Sequence, residues 1–312
     1  MVSNILYSYA RLSKYDLGMF RVFGPGLGNL LFPWARFVVF TRKYGMKPIW
    51  PTWPQVKIGT IYRMETDKRL YNILFKCPTN YINGWKKLFL LLFHSHVAES
   101  AFEKCVSISD GGWKGKVVIF SGMNDYFSKI KEDYKTVKKE LLKITLTKHK
   151  IGLNYNFKNS ISVHVRLGDF RKSLLQEREQ ASINVRLPLQ WYVQIIDQLR
   201  RSLGRPIPVY IFSDGRNSEL REILDLENTN RLSFGSAIAD LLGMSQSSIL
   251  VASGSTFSMW ATYLGRMPVI WYRGQLRQKL YMEEHEAEVE CALNENLPPY
   301  FLSLTKKRVF IA

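Results

Sequence analysis

Ser160-Ile161-Ser162-Val163-His164-Val165-Arg166-Leu167-Gly168-Asp169-Phe170 begins as a strand and runs directly into charged and glycine positions. His164 and Arg166 are two apart, so they project from the same face of an extended chain at its carboxyl end. Outward from this stretch the second half of the chain alternates regularly. Residues 189 to 203 read as a helix, 209 to 213 as a strand and 217 to 224 as a helix; 236 to 245 read as a helix, 248 to 252 as a strand, 257 to 264 as a helix and 268 to 272 as a strand. Such alternation predicts a mostly parallel sheet with helices on both faces, whose ligands bind off the carboxyl ends of the strands.

Toward the N-terminus the signal is thinner. After a polar start, residues 21 to 23 read as a strand, Gly24 to Asn29 as a glycine loop, 30 to 40 as a helix and 47 to 50 as the next strand, giving a βαβ unit. Residues 51 to 112 are aromatic and irregular. A strand at 117 to 120 and a helix at 133 to 143 follow, and the polar stretch 148 to 160 marks a boundary. The 312 residues exceed what one core usually holds, so two domains are expected, 1–155 and 156–312.

A net charge of +18, from 44 Lys and Arg against 26 Asp and Glu, favours anionic partners. Nucleic acid, an anionic membrane face and phosphorylated substrates all fit, but no compact nucleic-acid-binding module surrounds the basic residues. Cys77, Cys105 and Cys291 are widely spaced and odd in number, against a disulfide framework or a zinc site. No apolar run is long enough to span a bilayer and no signal-peptide pattern opens the chain, which points to the cytoplasm. Trp85-Lys86-Lys87-Leu88-Phe89-Leu90-Leu91-Leu92-Phe93 fits either a buried core helix or a segment lying in a membrane interface.

Four places carry chemistry. Arg166 offers a planar, permanently charged fork suited to a diphosphate, with His164 beside it; an Arg–Asp pair that merely ties down a loop explains the same residues. Ala252 to Trp260 is a small-residue loop before a helix, whose amides, hydroxyls and dipole form an anion site, although Ser255 and Thr256 also suit an ordinary N-cap. The loop at Gly24 to Asn29 lacks the last glycine of a dinucleotide fingerprint, so Gly26 and Gly28 fit a plain tight turn; the functional alternative is that Asn29 donates to the donor sugar or phosphate. Asp214 ends a strand where it suits a guanine or ribose, or a plain Asp-Gly turn.

In order, GPGLGNLLFPWA, FSGMNDYF, HVRLGDF, IFSDG and DLLGMSQSSILVASGSTFSMWATYLG resemble the GDP-fucose-dependent α-1,2-fucosyltransferases of glycosyltransferase family 11, and more distantly the protein O- and α-1,6-fucosyltransferases. The resemblance implies an α/β, GT-B-like enzyme: two Rossmann-like domains facing a cleft, with an acceptor-side N-terminal domain and a GDP-sugar-binding C-terminal one. It implies transfer of L-fucose from GDP-fucose with inversion, no metal and no other cofactor. On the family pattern Arg166 and His164 hold the β-phosphate, Ser255, Thr256 and Phe257 hold it from the facing loop, Gly28 and Asn29 close over it, and Asp214 lies by the nucleoside. Arg166-Leu167 stands where the α-1,2 branch usually carries two arginines.

Arg166 is then the expected catalytic cation, and Asp169 the nearest carboxylate for taking the acceptor proton or for orienting Arg166; Glu177 and Glu179 are further candidates. The expected acceptor is an oligosaccharide or a lipid-linked glycan of bacterial surface polysaccharide or lipopolysaccharide, met at the inner face of the cytoplasmic membrane through peripheral contact with anionic lipid and without nucleic acid. Another GDP-deoxysugar, a UDP- or ADP-linked donor, or a non-catalytic binding protein are the alternatives.

Overall fold

In the computed structural model, residues 5–56, 71–106, 113, 115–168, 170–172, 185–280 and 285–311 are described. The chain divides into two compact units, Met1–Thr147 and Lys148–Ala312, the division falling eight residues before the expected 155/156 boundary.

The first unit contains β1 (Tyr7–Arg11), β2 (Tyr15–Asp16), β3 (Arg21–Val22), α1 (Leu27–Lys43), β4 (Lys47–Ile49), β5 (Gln55–Val56), α2 (Gly84–Phe93), β6 (His96–Ala98), α3 (Glu99–Val106), β7 (Val117–Ser121) and α4 (Tyr134–Ile144). Its main sheet is parallel in the order β4-β1-β7-β6. The strand that pairs with β4 is thus β1, in the register Tyr7↔Lys47, Ser8↔Pro48 and Tyr9↔Ile49. This corrects the sequence reading, which gave that place to residues 21 to 23. Tyr-Ser-Tyr looks polar in one dimension, but its hydroxyls are satisfied inside: Tyr9 donates to Asp16 Oδ2 at 2.6 Å and Ser8 Oγ lies 2.7 Å from Thr41 Oγ1. Residues 21 and 22 instead form β3 of a small sheet, β2-β3-β5. Pro48 is tolerated because β4 is an edge strand.

The second unit contains β8 (Ile161–Val165), β9 (Arg171–Lys172), β10 (Val185–Arg186), α5 (Leu189–Leu203), β11 (Val209–Ser213), α6 (Arg221–Leu224), β12 (Thr229–Arg231), α7 (Ala237–Met244), β13 (Ile249–Val251), α8 (Thr256–Gly265), β14 (Val269–Tyr272), β15 (Glu288–Cys291) and α9 (Pro299–Ile311). Six strands run parallel in the order β12-β11-β8-β13-β14-β15. Counted from β8 this is 3-2-1-4-5-6, the Rossmann order. β8 is buried along its whole length because it is central and covered on both faces. α5 lays Trp191, Tyr192, Ile195, Ile196, Leu199 and Leu203 on that core, and Gly204 at φ +70° ends it in the left-handed conformation.

In the first unit the fully buried Arg36 of α1 donates from Nε to both oxygens of Glu99, at 2.9 and 3.0 Å, and Lys129 adds a second cation 3.3 Å from Glu99 Oε1. Removing one member of a buried pair leaves the other charge without its counterion. Glu99→Ala is expected to destabilise this unit by about 3–5 kcal/mol, read as a lowered urea midpoint with an unchanged denaturant slope.

Candidate functional site

The order of the six-stranded sheet reverses at β8: the chain goes outward through β11 and β12 on one side, then returns to build β13, β14 and β15 on the other. The carboxyl ends of β11, β8 and β13 therefore lie side by side, at the place where open α/β sheets leave a crevice for ligands. Arg166 follows β8, Asp214 follows β11, and Ser253, Ser255 and Thr256 follow β13. Arg166, Asp214, Ser255, Thr256 and Phe257, five of the residues expected from the sequence to act together, leave the sheet within this one row.

The register Ser213↔Val165 sets Asp214 opposite Arg166. Arg166 Nη1 lies 2.7 Å from Asp214 Oδ2, with both side chains about a quarter exposed. The same carboxylate accepts the amides of Leu167 at 2.8 Å and Gly168 at 3.1 Å. Asp214 thus fixes both the arginine and its loop. Gly168 is required by that approach, since a Cβ there would sit 2.4 Å from Asp214 Oδ2. The Arg166 guanidinium also lies 5.8 Å from the Phe170 ring centroid. Leu167 points into the core, so the arginine at this turn has no basic neighbour on its C-terminal side.

His164 lies two residues before Arg166, inside β8. It is buried, and its Nδ1 is within hydrogen-bond distance of three hydroxyls: Ser258 Oγ at 2.7 Å, Ser253 Oγ at 3.0 Å and Ser255 Oγ at 3.4 Å. The Phe257 ring packs 5.2 Å from its own. Burial first, and then the charge of Arg166, push its pKa down to about 3, leaving a neutral imidazole that staples β8 to the loop after β13. Ser255 is the N-cap of α8, accepting from the Ser258 amide at 3.3 Å. Thr256 and Phe257 open the helix and are half-buried. Ser253 and Ser258 were not singled out by the sequence; the spacing of Ser255 and Ser258, cap and third helical residue, was the available signal.

Gly28 and Asn29 belong to the first unit, in the first turn of α1, with Gly26 as its N-cap. Asp169, Glu177 and Glu179 lie outside the described residues. Among the described residues no three His, Cys, Asp or Glu side chains gather as a metal site, and no helix is long and apolar enough to cross a membrane.

The model of glycosyl transferase family 11 matches residues 116–283, more than half of the chain, and spans the whole Arg166 to Phe257 constellation. The chain belongs to glycosyl transferase family 11. No curated protein matches it in sequence. Among solved structures it is similar to the NodZ α-1,6-fucosyltransferase soaked with GDP-fucose, at TM-score 0.51 and 12% identity over 86% of this chain and 95% of that one. It is also similar to NodZ from Bradyrhizobium, at TM-score 0.52, 11% identity, and coverage of 86% and 96%. Arabidopsis thaliana FUT1, as a mutant in complex with GDP, gives TM-score 0.51 and 12% identity over 87% of this chain and 71% of that chain. At such identities the likeness is one of fold, and the family 11 glycosyltransferase has the GT-B-like α/β architecture expected of it.

The His164 staple of this glycosyltransferase has a pH signature. Its folded pKa lies below the ordinary 6.5, so between 6.5 and about 3 the unfolded chain holds a proton that the folded one does not. Stability supplied by the neutral imidazole is complete above pH 6.5 and is lost progressively as pH falls toward 3. Acidification from pH 7 to 5 should lower the Tm of the wild type more than that of His164→Gln, as followed by differential scanning calorimetry.

Proposed function

We propose that the protein transfers L-fucose from GDP-fucose to a hydroxyl of a glycan acceptor, with inversion and without a metal ion. The observation that carries this reading is Arg166, clamped by Asp214 at the point where the sheet order reverses and flanked by the N-terminus of α8. Breaking the bond between the sugar's anomeric carbon and the β-phosphate oxygen leaves its electron pair on the diphosphate. That growing negative charge is what a permanent cation and a helix N-terminus stabilise best. Arg166 and the start of α8, at Thr256 and Phe257, take the β-phosphate, while His164 and Ser255 hold the loop in place beneath it.

The acceptor hydroxyl attacks the opposite face of the anomeric carbon, forming the new glycosidic bond and giving up its proton. Asp169 is the proposed acceptor of that proton. The linkage we infer is α-1,2, from the order and content of the motifs, and the acceptor an oligosaccharide or lipid-linked glycan of bacterial surface polysaccharide or lipopolysaccharide. Leu167, in the core where this branch usually has a second arginine, favours keeping a sister GDP-deoxysugar as the second donor reading.

Calorimetry with GDP, UDP, ADP and GDP-fucose in the absence of divalent metal tests the reading. The expected result is selective binding of GDP and GDP-fucose that Arg166→Ala abolishes, together with a fall in turnover of at least ~100-fold, the scale of losing one charge-stabilising donor. Binding of UDP or ADP in preference to GDP, or near-normal turnover in Arg166→Ala, would overturn it.

A further inference from the structure

α2 is an inverted helix. Its inner side buries Lys87 and Leu90, and its outer side shows Trp85, Phe89, Leu92 and Phe93, which are 82%, 56%, 74% and 73% exposed. These four stand at i, i+4, i+7 and i+8, a single face of one helix. The turn between β2 and β3 extends the same surface. Leu17, Met19 and Phe20 are exposed there, and the turn is locked against α2: a Cβ on Gly18 would lie 2.6 Å from Leu88 Cδ2 and 3.6 Å from Leu91 Cδ1. Lys87 completes the lock, its Nζ donating to Thr52 Oγ1 at 2.9 Å while that hydroxyl donates to the Gly18 carbonyl at 3.0 Å. Seven large apolar side chains are therefore held outward by a rigid, buried support.

We propose that this face of the first unit is a membrane-docking surface that seats α2 flat in the interface of a bilayer containing anionic lipid. Charge selects the occupant. Residues 1–147 contain 23 Lys and Arg against 10 Asp and Glu, a net +13 of the chain's +18, so the apolar face belongs to the more basic unit. Lys86, on α2, and Lys14, whose Nζ lies 5.8 Å from the exposed Tyr15 ring, stand exposed beside it. A second copy of the chain would bring the same positive charge to the contact, whereas an anionic leaflet receives both the apolar face and the cations. The ten residues of α2 make about 15 Å of helix, half a hydrocarbon core, so it lies along the surface and does not cross it. The inference goes beyond the donor chemistry and stands or falls separately from it.

Cosedimentation of the full chain with vesicles of phosphatidylglycerol and phosphatidylethanolamine, and with vesicles of phosphatidylcholine alone, tests it. Binding is expected to the anionic vesicles, weakened by salt, with at least a tenfold loss of partitioning in Trp85→Ser/Phe89→Ser/Leu92→Ser/Phe93→Ser. Trp85→Ser/Leu92→Ser should lose part of it, and Lys14→Gln/Lys86→Gln should flatten the salt dependence. Circular dichroism and GDP calorimetry on each variant separate a lost surface from a lost fold or donor site. Absence of wild-type binding to anionic vesicles, equal binding by the well-folded variants, or a concentration-dependent dimer abolished by the same substitutions would overturn the proposal.

Discussion

A parallel sheet whose first strand lies in its middle must send the chain outward from one edge of that strand and later bring it back to the other. β8 is such a strand, and the consequences run through the whole second unit. The helices that cross from β8 toward β11 and from β12 back to β13 cannot both fill the space above its carboxyl end, so the turns after β11, β8 and β13 line a crevice in place of a core. Two residues there, His164 inside β8 and Arg166 just after it, are used differently. His164 goes down into the protein and is neutral; Arg166 stays at the rim and is charged. A desolvated neutral ring costs little and tolerates three hydroxyls around it, while a desolvated guanidinium would need a full set of acceptors.

Much of that second unit was legible in the sequence because its elements are long and apolar on the right period. Residues 189–203 and 209–213 have the bounds expected of them. What was hidden is whatever depends on pairing between distant segments. Asp214 read as a nucleoside contact or a turn residue, since nothing in a one-dimensional chain says that β11 lies beside β8 with Ser213 opposite Val165. In the first unit, β1 was hidden because its buried tyrosines and serine are polar by composition and apolar only once Asp16, Thr52 and Thr41 satisfy them.

The segment at 84–93 shows the opposite limit. It is apolar around most of its circumference, so the period could not tell which side faces inward, and both a core helix and an interfacial one were consistent with it. The side chain that decides is Lys87. Burial pushes its pKa down to about 8, and its Nζ sits 5.4 Å from the Tyr9 ring centroid while bonded to Thr52. A lysine with a hydroxyl and an aromatic face waiting for it can turn inward at a modest cost, and doing so rotates Trp85 and Leu92 outward.

The carboxylates of the site divide along similar lines. Asp214 accepts from three donors on two oxygens: Arg166 Nη1 and the amides of Leu167 and Gly168. A carboxylate engaged in that way is a positioning group, because drawing a proton onto it would weaken its hold on the arginine and on both amides. The duty of orienting Arg166, which the sequence left open to Asp169, is thereby met from the neighbouring strand. In the proposed reaction the acceptor proton then goes to Asp169, to Glu177 or Glu179, or to the departing phosphate, and these differ in consequence. Asp169 as the base would make transfer sensitive to Asp169→Asn in turnover, whereas proton uptake by the phosphate would leave turnover dependent on Arg166 and indifferent to Asp169.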